Sequence, residues 1–202
     1  KLTITNRLDS QILDSLNAWF DAATPVEIKS GLGWYREAQS FCEEVANHHG
    51  YSRYVVAGVV SALSPNNKWS RNKLDAIKLI EAAHGSLEDR EALKVCTYGA
   101  NKMKAFRILD GNQQIDPSSP KTHAFAMNVG LNSPDHITID KWHIRSCILR
   151  PVDGIQPTVE SITPKQYRRI EALTAQIARE RGLKGYELQA IIWLTIKNHW
   201  GR

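Results

Sequence analysis

The stretch Lys121–Arg145, "KTHAFAMNVGLNSPDHITIDKWHIR", decides how the rest of the chain is read. Ser119 and Pro120 come directly before it, an N-cap residue with proline at the first helical position, so Lys121 is expected in a helix's first turn. The segment "LNSPDHITID" breaks that helix, and a short β-like run, Ile137 to Ile139, leads into Asp140. An aspartate there can cap the helix that "KWHIRSCIL" forms. The stretch thus places an amine and a carboxylate each at the start of a helix.

Working outward, the periodicity is helical throughout. Ile12, Leu13, Leu16, Trp19 and Phe20 share one stripe before Pro25, and Trp34, Ala38, Phe41, Cys42 and Val45 share a second, closed by Gly50. Ser52 can cap "RYVVAGVVSAL", which is apolar nearly all round and suits the centre of a bundle, with Gly58 letting a neighbour approach. Ser70 opens a helix to His84, Ser86 with Asp89 reads as a capping box, and Gly99 precedes "ANKMKAFRILDG". "RPVDGIQPTVESITP" is the best linker candidate. Thr163 and Pro164 then start a helix ended by Gly182, and a last one runs from Tyr186 to Asn198. The reading is an all-α chain of two helical lobes: roughly 52–135 as a central lobe, with 1–51 and 136–202 forming the second.

Composition narrows the function. The 202 residues are 42% apolar and carry 26 Lys plus Arg against 21 Asp plus Glu, a net +5 that favours a polyanionic partner. There is no long apolar run and the amino end "KLTITNRLDS" is polar, so neither a membrane span nor a signal peptide is expected, and the protein should be intracellular. Cys42, Cys96 and Cys147 are too few and too scattered for a zinc or iron–sulfur site and read as buried free thiols. The histidines show no metal-ligand spacing. No metal and no cofactor are expected, and the chain should act as a monomer.

In their order, the segments resemble the helix-hairpin-helix DNA glycosylase superfamily, its endonuclease III branch in particular. The resemblance spans about Val55 to Arg150. "VVSALSPNNKWSRNKLDAIKL" is similar to the family's helix and DNA-entering loop, and "TYGANKMKAFRIL" to the helix before its hairpin. Lys121, Thr122, Ile139, Asp140 and Arg145 fall where that family has its Lys-Thr helix, its apolar pair, its essential aspartate and a following arginine. The chain departs in three places: "IDPSSP" lacks the glycines of the family's hairpin, no cluster-forming cysteine set is present, and Leu63 stands where glutamine is common.

The resemblance implies a base-excising enzyme on double-stranded DNA, acting in DNA repair, with possible abasic-site β-lyase activity. Asp140 would stabilise the cation-like sugar as the N-glycosidic bond breaks, and Lys121 would attack C1′ to form a Schiff base. Read alone, Asp140 is better explained as a helix cap, and Lys121 equally well as a phosphate contact. Leu63 matches the wedge that fills the gap left by a flipped base, with Ser64, Asn66 and Asn67 beside it to bond the orphaned partner. Trp69 would stack on a base or pack in the core. Lys68, Arg71, Lys104 and Arg145 are candidate phosphate contacts, and Ser118 and Ser119 would offer a helix start to phosphate. Trp142 and His143 would shape the base pocket. Two alternatives stay open: group transfer to hypermodified thymine on the same fold, and a helix-hairpin-helix protein that binds DNA without turnover.

Overall fold

A computed structural model describes residues 3–154 and 161–200, and all regular structure among them is helical. A short 3₁₀ turn, Ile4–Asn6, precedes ten α-helices: α1 Asp9–Asp21, α2 Pro25–His49, α3 Arg53–Leu63, α4 Trp69–Ala82, α5 Leu87–Ala92, α6 Gly99–Leu109, α7 Pro120–Gly130, α8 Lys141–Ile148, α9 Pro164–Glu180 and α10 Gly185–Trp200. Local chemistry sets the boundaries. Ser52 accepts Val55 N–H at the start of α3, Ser86 and Asp89 cap α5 reciprocally, and Thr163 and Gln166 do the same for α9. Part of the linker candidate, residues 155–160, lies outside the described residues.

The chain folds as two compact units, residues 1–37 with 134–202 and residues 38–133. The first boundary differs from the expected one after residue 51. It falls inside α2, because from Ala38 onward that helix packs with the second unit; Gln39 there donates to Asn128 O at 2.9 Å.

In the first unit, Ile12, Leu16 and Trp19 of α1 meet Ile144, Cys147 and Ile148 of α8, Ile170, Leu173 and Ile177 of α9, and Leu188, Ile192 and Ile196 of α10 in one core. Gly31 of α2 lies so close to α10 that a Cβ there would stand 2.7 Å from the Ile191 backbone. The expected β-like run finds no partner strand among the described residues. Glu171 accepts Ile137 N–H at 3.0 Å, while the Tyr167 hydroxyl takes Ile139 N–H at 3.1 Å and donates to Ile137 O at 2.6 Å. Side chains of α9 thus satisfy the backbone of an extended segment that would otherwise be costly to bury.

In the second unit, α3 is the centre. Val56 through Leu63 are all buried, and α6 and α7 pack against this helix most heavily, with α4 beside them. At Gly58 a Cβ would meet Ile115 at 2.8 Å and Ile108 at 3.0 Å, which is the close approach expected of it. Ser61 donates to Thr122 O at 2.5 Å, and Asn72 to Val60 O at 3.0 Å. Cys42 and Cys147 are buried, whereas Cys96 is exposed, because it lies on a surface loop between α5 and α6.

Candidate functional site

Asp140 is the N-cap of α8 and is half-buried at the end of the extended run. One carboxylate oxygen accepts the backbone N–H groups of Trp142 and His143, each at 2.9 Å. The other accepts the indole N–H of Trp193, on α10, at 3.1 Å. Both oxygens are thus met by N–H donors at the start of α8, whose N-terminus carries a partial positive charge. The capping and site readings of Asp140 therefore coexist, since the cap is what fixes the carboxylate.

An aromatic corner surrounds it. The Trp193 ring stands edge-on to Trp34 at 6.0 Å, Trp34 to Tyr35 at 4.8 Å, and the Lys197 ammonium sits 4.2 Å from the Trp193 ring centre. Tyr35 is fully buried, and that burial, followed by the Asp140 charge, pushes its hydroxyl pKa far up. Its OH donates to Gln189 at 2.9 Å. Of the residues expected to shape the pocket, Trp142 is half-buried with the Arg145 guanidinium 4.5 Å above its ring. His143 points inward instead. It is fully buried, its Nε2 lies 2.9 Å from Thr174 Oγ1, and burial lowers its pKa to about 4, so it packs as a neutral ring rather than lining a pocket. Arg145, expected on phosphate, has a buried Nε and lies over Trp142.

Lys121 belongs to the second unit, exposed in the first turn of α7 behind Pro120. Such an exposed position differs from the dry setting in which a nucleophilic lysine acts. Ser118 is not free for phosphate: Asp116 accepts its N–H at 2.8 Å and its hydroxyl at 2.7 Å. These two bonds hold the Asp116 carboxyl below its usual range, with the Lys104 charge adding to the effect. Ser119 occupies the N-cap without a side-chain capping bond.

Leu63 cannot be the wedge. It ends α3 with no exposed surface, because the helix's last apolar turn faces the core. Ser64 turns back to Ser61 O at 2.8 Å, and Asn67 donates inward to Leu63 O and Asp75. Asn66 and Lys68 are exposed. Trp69 packs edge-on between Phe41 at 5.9 Å and Phe125 at 6.3 Å, committed to the unit's own aromatic cluster. Arg71 pairs with Asp75 at 2.9 Å.

Sequence reasoning missed Trp193, Trp34 and Asp75. Tryptophans in apolar helices read as core, and an aspartate four residues after an arginine reads as half of a surface pair. Among the described residues no cluster could hold a metal ion, and no helix is long and apolar enough to cross a membrane.

Residues 2–200 match the family described as "Family of unknown function (DUF7178)", and the chain belongs to that family. No curated protein and no solved structure matches it.

Proposed function

We propose that this chain excises a modified or damaged base from duplex DNA, with Asp140 as the carboxylate that stabilises the cation-like sugar. The observation that carries the reading is the hold on Asp140: two backbone N–H groups and one indole N–H fix both oxygens in an aromatic corner. Departure of the base leaves positive charge spread over C1′ and the ring oxygen. A carboxylate already aligned by protein dipoles stabilises that charge without reorganising. The resemblance to helix-hairpin-helix glycosylases supports the same residue. On this reading Lys121 is the attacking amine, and the bound strand supplies the desolvation that the free protein lacks.

The test is to incubate the protein with duplexes carrying oxidised pyrimidine, oxidised guanine, mismatched or hypermodified bases, and to resolve free base and nicked strand separately. Free base released from one of them is the expected result. Retention of the base with a new group attached assigns group transfer instead, and tight binding with no turnover assigns a non-catalytic DNA-binding protein. Borohydride added during turnover is expected to trap a covalent adduct that Lys121→Gln abolishes. Base release without a trap assigns the attack to water.

A further inference from the structure

Asp75, on α4 in the second unit, has no exposed surface at all. Buried carboxylates are rare unless fully partnered. One oxygen of Asp75 accepts Asn67 Nδ2 at 3.0 Å and the backbone N–H of Cys96 at 2.9 Å; the other accepts Arg71 Nε at 2.9 Å. These donors come from the loop before α4, from α4 itself and from the loop before α6. Further bonds tie the two loops directly: Thr97 Oγ1 donates to Pro65 O at 3.1 Å, and Asn66 Nδ2 to the Tyr98 hydroxyl at 3.2 Å. Asn66 adopts φ 57°, a left-handed conformation that asparagine tolerates better than most residues.

Arg71 is the outward half of this knot. Its side chain is 42% exposed while its partner is 0% exposed, and its terminal nitrogens make no bond to the described residues. An ordinary surface pair between residues four apart fixes little, because both side chains move. Here the carboxylate is buried and bonded by three donors, so Nε anchors the guanidinium while the arginine side chain stays partly exposed. A guanidinium so anchored has less ordering entropy to lose on binding a phosphate than a free arginine has. Lys68 and Asn66, both exposed, stand on the same tied loop.

We propose that Asp75 is a positioning residue that presents Arg71, with Lys68 and Asn66, as a preformed edge for the phosphodiester backbone of DNA. The choice of duplex DNA as partner rests on the base-excision reading.

The experiment is equilibrium binding of a short undamaged duplex by fluorescence anisotropy across a salt series, with turnover of a substrate duplex measured in parallel. Arg71→Gln is expected to weaken binding about tenfold and to reduce the log–log salt slope by about one. Asp75→Asn should weaken binding while leaving the slope near the wild-type value, since the Arg71 charge remains, and the double variant should bind no worse than Arg71→Gln, because Asp75 acts through Arg71. Arg71→Lys keeps the charge but not the fork, and should bind about threefold more weakly than wild type. Should Asp75→Asn fail to fold, the two Arg71 variants decide alone. Wild-type affinity and slope in Arg71→Gln, or wild-type affinity in Arg71→Lys, overturns the proposal while leaving base excision standing. A wild-type protein that binds no duplex overturns both.

Discussion

Two aspartates, one in each unit, accept similar bonds in different settings, and the roles proposed for them differ accordingly. Asp75 is fully buried and joined to a guanidinium, an amide and a backbone N–H from three segments. Asp140 is half-buried, and its bonds from Trp142, His143 and Trp193 come from neutral N–H groups. A carboxylate joined to a cation has most of its field cancelled locally, so its energy goes into holding the loops that bring the donors. A carboxylate with N–H dipoles on both oxygens is aligned in advance for a cation that appears nearby. On the proposed reading, similar side-chain chemistry serves as a structural knot in one unit and as a reactive group in the other.

The largest expected effect sets the two apart directly. Asp140→Asn should lower base release by roughly a thousandfold, the scale of losing a principal electrostatic contact to the transition state. It should leave the melting midpoint and the duplex affinity nearly unchanged, since asparagine also caps helices well. Asp75→Ala should do the reverse. It leaves the Asn67 amide and the Cys96 N–H without their acceptor and costs about 3 kcal/mol of stability by denaturant titration. If Asp140→Asn unfolds the protein while Asp75→Ala is silent, the assignment of roles is inverted.

Half of this comparison was legible in the sequence. "TIDKW" predicts a cap at Asp140, because an extended run ending in aspartate before an amphipathic stretch has few other uses. The all-helical class follows equally from stripes such as Ile12, Leu16 and Trp19, which are buried together. Tertiary partners were not legible. Trp193 lies 53 residues from Asp140, and nothing in a local window shows its N–H aimed at a carboxylate. Leu63 was misread for a related reason: an apolar residue at a helix end serves equally as wedge or core, and only packing decides. In the sequence the Ser118 hydroxyl is open to phosphate; in the structure Asp116, two residues earlier, accepts it.

Acid probes the reactive side of the comparison through His143, the residue whose N–H helps fix Asp140. Burial lowers the His143 pKa to about 4 from 6.5, so the unfolded chain binds a proton that the folded chain refuses. The stability associated with the neutral ring is complete above the unfolded value and is lost as pH falls from 6.5 through about 4. At pH 5 the loss should be about 2 kcal/mol relative to pH 7. His143→Gln cannot take up a proton and retains an acceptor for Thr174, so urea midpoints should flatten over that window. An unchanged slope in the variant would assign the pH dependence elsewhere.

The smallest expected effect sharpens the comparison most, because it removes one dipole from Asp140 while keeping an aromatic ring in its place. Trp193→Phe keeps an aromatic ring against Trp34 but deletes the N–H that reaches the second carboxylate oxygen. If that bond orients Asp140 for the transition state, kcat should fall about fivefold to tenfold, on the order of 1 kcal/mol. KM and duplex affinity should hold, because the backbone N–H groups of Trp142 and His143 still fix the other oxygen. A rise in KM with kcat intact would mean that Trp193 meets the base rather than the acid. Loss of both together would mean that the indole holds α10 against the site, and Asp140 would then resemble Asp75 more closely than the dipole argument allows.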